Sequence, residues 1–504
     1  MANTILIEKN VPCLMRDGVT LYATIYRPQD EKRYPVLLTR IVDGKDRHTF
    51  RPTNIFQFVQ EGYVVIVQDV RGRYASEGVF EPFVHEEEDG FDTIHWINDL
   101  PYTNQKIAMF GDQYSAYTQF AAAKTASTFL SALFPIHLFD SMHAFSYREG
   151  LLKSKTLLDT TLAYAENIIE KRNIRAEDKK DQQFHLEAYR ERKDQLYRFK
   201  SMTNLPVFKM LGVQSLFQSF LEAEIPSESN DLESWPASHF VTGWFDEHAA
   251  HTLAAFQTAR QQDEEKHLLL IGPWKNGTFS MPTLPHPFGY TANNESLANG
   301  GSLTDFHLRW FDYWLKNEQN GVNKDAPVLL FVMGINKWRK ERSWPLEEED
   351  VRHTSFTFSA SEQDAAYTFF LQEEGSSMMT FTHAPFTEVH ELIGSPTLRI
   401  PTTGRTSLYV RLSVLNENGE AFLLSDGLVN RLDTDNEGVT ITLSPVAYHF
   451  KKGERISIEY STVPLDTYRS PSNGFEEESL SAMLPFLLNQ ATQLTLPFAK
   501  QPLR

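Results

Sequence analysis

Short, wholly apolar runs recur within the first 140 residues, each set between stretches that favour helix. Val36-Leu37-Leu38, Tyr63-Val64-Val65-Ile66-Val67 and Ile107-Ala108-Met109-Phe110 are too short for helices and too uniformly apolar for strands with one wet face. Strands buried on both faces belong to a mostly parallel sheet covered by helices, so this region is expected to be α/β. The third run passes directly into Gly111 and then into a helix-forming stretch from Ala116 to Thr125, which reads as strand, tight turn and helix.

The texture changes along the chain. Residues 141–204 are charged and helical, as in Arg172 to Arg192, with no strand signal; an insertion over the carboxyl ends of the strands is expected, as a cap. The sheet resumes with His239-Phe240-Val241-Thr242 and Leu268-Leu269-Leu270-Ile271, and an amphipathic aromatic helix from Leu303 to Lys316 closes the unit. The α/β domain is thus assigned to 1–140 and 205–320, and polar Asn317 to Asp325 reads as a linker. Residues 326–504 become all-β: Val328 to Met333, Ser355 to Phe358, Tyr367 to Leu371, Thr406 to Val414, Gly438 to Leu443 and Arg455 to Tyr460 alternate with turns, as in a two-sheet sandwich or jelly roll. A chain of 504 residues exceeds one ordinary core, which agrees with several packed units.

A formal net charge of −18 disfavours a nucleic-acid partner, because phosphates are repelled and no basic block offsets the excess. The lone cysteine, Cys13, cannot pair within the chain and fits a reducing compartment. No targeting segment and no apolar stretch long enough to span a bilayer is read, so a cytoplasmic protein without a membrane partner is expected. Phosphate-binding, dinucleotide and zinc-protease motifs are missing, and the acidic runs Glu86 to Asp89 and Glu347 to Asp350 lack calcium-loop spacing. No cofactor and no metal are expected.

Several separated strings carry a resemblance. They are Arg16-Asp17-Gly18-Val19, Gln68-Asp69-Val70-Arg71-Gly72 with Ser76-Glu77-Gly78, Gly243-Trp244-Phe245-Asp246, Gly272-Pro273-Trp274, Ala384-Pro385-Phe386-Thr387-Glu388, Ser425-Asp426-Gly427 and Lys452-Gly453-Glu454-Arg455. In this order and spacing the chain resembles the cocaine-esterase and X-prolyl-dipeptidyl-peptidase family of α/β-hydrolases. The resemblance implies an α/β-hydrolase domain, an inserted helical cap and a C-terminal jelly roll that helps wall the active site. Its members are serine hydrolases acting on esters or amides, and jelly-roll surfaces of this kind can mediate self-association, which makes a homo-oligomer admissible.

The family's elbow, Gly-x-Ser-Tyr-x-Gly, corresponds here to Gly111-Asp112-Gln113-Tyr114-Ser115-Ala116. Gln113 stands in the nucleophile's place, and a carboxamide has no proton whose removal would make it one. Asp246 matches the family's acid, but where the histidine should follow Gly-Pro-Trp the chain has Lys275 and Asn276. Asparagine cannot shuttle a proton near neutral pH. Where relatives carry an oxyanion-binding tyrosine, Arg40-Ile41-Val42-Asp43-Gly44-Lys45 places Asp43, whose carboxylate would repel a developing oxyanion. The Tyr114 amide remains as a donor. Ser115 lies two residues beyond the nucleophile's place, and His248, His251 and His286 read as packing, surface or loop residues.

Three readings follow. In the first, a repurposed enzyme binds a small-molecule acyl, amide or peptide-like ligand through Gln113, Asn276 and Tyr114. Asp43 or Asp246 then does acid/base work without a covalent intermediate, in a cyclisation, elimination or transfer. In the second, a non-catalytic relative binds a ligand or partner. In the third, a residual esterase or peptidase uses Ser115 or activates water.

Overall fold

In the computed structural model the apolar runs become strands of one mixed sheet. The structure describes residues 4–47, 53–197, 205–225, 232–275, 288–293, 296–298, 301–358, 366–371, 377–400, 406–431, 438–461, 467–468 and 492–503. They fall into two compact units. The first comprises Met1–Phe145, Asp159–Lys193 and Leu205–Leu329; the second comprises Ser146–Leu158, Asp194–Asn204 and Leu330–Arg504.

In the first unit the strands are β1 (Ile5–Leu14), β2 (Thr20–Pro28), β3 (Tyr34–Ile41), β4 (Val64–Asp69), β5 (Thr103–Asp112), β6 (Leu130–Ile136), β7 (Ala237–Gly243) and β8 (His267–Gly272). They lie in the order β1-β2-β4-β3-β5-β6-β7-β8. The β1–β2 hairpin joins β4 antiparallel, and all pairs from β4 to β8 are parallel. Every residue of β4 and β7 is buried, which explains why neither strand shows the strict apolar–polar alternation of a half-exposed one. Helices α1 (Ile55–Gln60), α2 (Glu86–Asn98), α3 (Tyr114–Ala126), α4 (Ala249–Gln262) and α5 (Leu303–Lys316) belong to this unit. Helix α5 begins at a reciprocal capping box, in which the Ser302 hydroxyl accepts from the Asp305 N–H and the Asp305 carboxylate accepts from the Ser302 N–H. Its apolar stripe sets His307 flat against Phe134 of β6, with ring centres 3.6 Å apart.

Two sequence expectations change here. Asn317–Asp325 folds back on α5: Asn320 Nδ2 donates to the Arg309 carbonyl at 2.7 Å, and the Arg309 guanidinium pairs with Asp325. Within 141–204, helices Ser154–Lys171 and Ala176–Glu191 do form, but a two-residue hairpin, Tyr147–Arg148 with Leu151–Leu152, precedes them. Strands this short leave no periodic trace in sequence. Arg148 is instead fixed within the second unit by Asp426, at 3.0 Å, and by the Tyr468 hydroxyl, at 3.1 Å.

The second unit is built on two antiparallel sheets. One has the order Val439–Thr442, Thr397–Ile400, Thr492–Ala499, His390–Gly394, Val446–Phe450, with Val351–Phe358 also paired to Thr492–Ala499. The other runs Ala366–Leu371, Ser377–Thr382, Arg455–Ser461, Thr406–Leu415, Ala421–Arg431. Strands such as Ala421–Arg431 and Thr492–Ala499 escape the sequence reading because polar or Pro-containing stretches interrupt their apolar pattern.

Candidate active site

The carboxyl ends of β3, β5 and β7 carry Asp43, Gln113 and Asp246, three residues singled out from sequence, as expected for an open α/β sheet. At the end of β5 the chain turns sharply into α3, and Gln113 sits at the tip with φ +55°. This left-handed conformation is costly for a non-glycine residue, on the order of 1–3 kcal/mol, and persists only where surrounding bonds enforce it. Those bonds are present. Gln113 N–H donates to the Ile136 carbonyl at 2.9 Å, and the Gln113 carbonyl accepts from Ala116 and Tyr117, both at 2.9 Å. Among the described residues the Gln113 carboxamide makes no hydrogen bond, and the first-turn N–H groups of Tyr114 and Ser115 find no acceptor. They form the positive end of α3 beside the tip.

Ser115 points elsewhere. A Cβ built on Gly111 would lie 2.4 Å from the Ser115 Cβ, so that side chain packs down on the end of β5 and is 7% exposed. The Tyr114 side chain also leaves the tip: its hydroxyl donates to Glu86 Oε1 at 2.9 Å and accepts from Phe83 N–H at 3.0 Å.

The loop after β3 holds Asp43 in place through its neighbours. Lys45 binds Asp69 at the end of β4 twice, through its backbone N–H at 2.7 Å and its ammonium at 3.0 Å, and the Tyr74 ring lies over Gly44. Arg73, almost wholly enclosed, donates to the Val42 carbonyl at 3.0 Å and to the Tyr164 carbonyl at 3.1 Å, and faces the rings of Tyr74, Phe80 and Tyr164. Asp43 itself makes no hydrogen bond or ion pair among the described residues. Solvent reaches its carboxylate, yet surrounding protein is the strongest influence on it and raises its pKa, with Arg73 opposing and Asp112 reinforcing.

Asp246 lies in the turn after β7 and is 7% exposed, with both carboxylate oxygens engaged: Oδ2 accepts from the Thr242 hydroxyl at 2.9 Å and Oδ1 from the His248 N–H at 3.0 Å. That turn exists because Gly243 lacks a side chain, since a Cβ there would sit 2.2 Å from the Trp274 carbonyl oxygen, which accepts the Phe245 N–H. Burial raises the Asp246 pKa, and His137 is the largest opposing influence. His248 packs between Phe139 and Phe145, and His251 approaches Asp140 at 4.0 Å. Asn276 and His286 lie outside the described residues.

The sequence reading missed Asp112 and His137. His137 follows β6 directly with φ +51°, and its Nδ1 lies 2.8 Å from Asp112 Oδ1. Burial works against its charged form, but Asp246 and Asp112 outweigh that and hold its pKa above the ordinary 6.5. The signal in sequence was a histidine and an aspartate each closing an apolar strand run. What joins them is strand order, since β5 and β6 are neighbours in register with Asp112 opposite Ile136. Among the described residues no group of three or more His, Cys, Asp and Glu side chains could hold a metal ion, and no helix is long and apolar enough to cross a membrane.

A sheet of this order with a strained strand-to-helix elbow at the end of β5 defines an α/β-hydrolase fold. Residues 17–277 match the model of the X-Pro dipeptidyl-peptidase (S15 family), and residues 320–483 match that of the X-Pro dipeptidyl-peptidase C-terminal non-catalytic domain. The chain belongs to this S15 hydrolase family. It is 29% identical over 422 residues to the cocaine esterase of Rhodococcus sp. (strain MB1 Bresler), a match covering 80% of this chain and 70% of that one. Among solved structures it is similar in fold to a CocE/NonD family hydrolase from Staphylococcus aureus, with 17% identity and a TM-score of 0.69 over 98% of this chain and 94% of that one. A similar likeness holds for an α-amino acid ester hydrolase, with 16% identity and a TM-score of 0.62 over 100% and 97%.

Proposed function

We propose that this hydrolase-family protein has exchanged acyl-serine chemistry for non-covalent acid/base chemistry on an acyl, amide or peptide-like small molecule. The observation that carries the reading is the residue at the elbow tip. Gln113 cannot attack a carbonyl, yet among the described residues its carboxamide has no hydrogen-bond partner, and neither do the adjoining N–H groups of Tyr114 and Ser115. A ligand carbonyl is held there by donors and by the carboxamide, with Asn276 as a second polar contact. Asp43, its pKa raised by the surrounding protein, supplies an acid/base group without a covalent intermediate. This suits a cyclisation, elimination or transfer better than hydrolysis through an acyl-enzyme.

The exchange is reversible on this reading. The double substitution Gln113→Ser with Asn276→His supplies a nucleophile and a base to a scaffold that retains Asp246. Hydrolysis of p-nitrophenyl acetate is expected to rise about 100-fold or more above the wild-type chain, the usual scale of general-base assistance. A folded double variant as inert as the wild type would count against it.

A further inference from the structure

We propose that Asp112 is the proton-accepting group of this site, held in place by the His137 imidazole that lies against it across the carboxyl ends of β5 and β6. The inference rests on the acid/base reading above and moves its base from Asp43 or Asp246 to a residue adjoining the elbow tip.

Access separates the three carboxylates. Asp246 is enclosed and both of its oxygens are occupied, so it cannot meet a ligand. Asp43 is reachable, and among the described residues nothing hydrogen-bonds it to fix its orientation. The Asp112 side chain is 21% exposed, immediately precedes Gln113, and is oriented by the fully enclosed imidazole at 2.8 Å. His137 is immobilised in turn, because its N–H donates to the Val241 carbonyl at 2.9 Å and its backbone occupies the left-handed region. The charged groups acting on the imidazole are Asp246, from the turn after β7, and Asp112, from β5; Asp43, from the loop after β3, acts on Asp112 in turn. The Asp112 carboxylate is in hydrogen-bond contact with the imidazole, and both carboxylates favour its charged form. Asp112 is then the catalytic residue, while His137 is a positioning residue. This arrangement inverts the usual order, in which a buried carboxylate orients a histidine that touches substrate.

The base is tested with 5-nitrobenzisoxazole, a probe that needs only a positioned proton acceptor. The carboxylate takes the C3 proton, the C–H electron pair completes the nitrile, the N–O bond breaks and the phenolate leaves with that bond's pair; the proton then passes to water. The full-length wild type is expected to turn the probe over, and Asp112→Asn to lose about 100-fold or more. His137→Gln is expected to lower kcat for the probe while leaving KM unchanged, a split that loss of packing alone would not give. Should His137→Gln fail to fold, NMR of the wild-type chain labelled with ¹³C-ε1 histidine takes its place. One imidazole must stay protonated above pH 6.5 and lose that property in Asp112→Asn. Turnover abolished by Asp43→Asn but kept by Asp112→Asn would overturn this inference and leave the acid/base reading standing. An absence of wild-type turnover, or a His137 that is neutral at pH 6.5, would also overturn it, whereas the wider reading falls only with the nucleophile test.

Discussion

Replacing Arg40 with methionine will destabilise the first unit by about 3–5 kcal/mol, the scale on which a buried ion pair loses one partner. Arg40 is fully enclosed at the end of β3. Its Nε donates to Gln68 Oε1 at 3.0 Å, Nη1 donates to the Glu86 carbonyl at 2.9 Å, and Nη2 lies 3.0 Å from Glu86 Oε2 and 3.8 Å from Asp89 Oδ2. Glu86 and Asp89 open α2, so the guanidinium both neutralises the start of that helix and ties it to the sheet. Asp89 keeps a second partner, Arg71, whose Nε donates to it at 3.0 Å. The other partner of Glu86 is the neutral Tyr114 hydroxyl; burial already raises the Glu86 pKa, and Arg40 is the largest influence opposing that. Removing the cation therefore leaves a carboxyl that must protonate or pull water into the core. Adding Glu86→Gln to Arg40→Met should recover part of the loss, since the orphaned charge disappears while the lost volume does not return. Denaturant unfolding followed by tryptophan fluorescence measures both variants, and a loss below about 1 kcal/mol for Arg40→Met would contradict the assignment.

Acid will weaken the same unit through three histidines. His239, His267 and His307 are enclosed, and burial is the main cause that lowers their pKa values to about 3, about 4 and about 3 from an ordinary 6.5. Below pH 6.5 the unfolded chain takes up protons that the folded chain refuses, so stability falls as pH drops towards 4. Each histidine contributes up to about 1.4 kcal/mol per pH unit, and the three together up to about 4. His137 acts in the opposite sense. Its folded pKa is raised, so its contribution is fully present below 6.5 and is lost as pH rises through the folded value. His307→Phe isolates one member: the ring lies flat on Phe134, and the substitution forfeits only the Nδ1–H bond to the Leu303 carbonyl at 2.7 Å. The acid limb of stability against pH should become shallower by about 1.4 kcal/mol per unit in that variant. A wild-type stability that stays level from pH 7 to pH 5 would rule out neutral burial of these rings.

The sheet was legible in the sequence because strands buried on both faces leave unbroken apolar runs, and Gly111 after such a run announced the elbow. Asp43, Asp246 and Gln113 were legible through motif position. The partnership of Asp112 with His137 was not, because residues 25 apart become neighbours only through the pairing of β5 with β6. The pinning of Lys45 to Asp69 depends likewise on β3 lying beside β4. Helix periodicity revealed Leu303 to Lys316 but gave no hint that His307 would face Phe134, since a polar ring on an apolar stripe reads as an interruption. In the second unit the short strands were lost wherever prolines or charged residues masked their alternation.

The account turns on whether the side chain presented by the elbow can form a covalent bond. Intact-mass measurement of the wild-type chain after incubation with a fluorophosphonate tests this directly. Gln113 at the tip and Ser115 packed on Gly111 predict an unchanged mass, while the Gln113→Ser/Asn276→His variant, handled identically, gains one adduct at residue 113. A stoichiometric adduct on a serine of the wild type, mapped to Ser115 or any other position, would contradict the account and return the protein to ordinary serine-hydrolase chemistry.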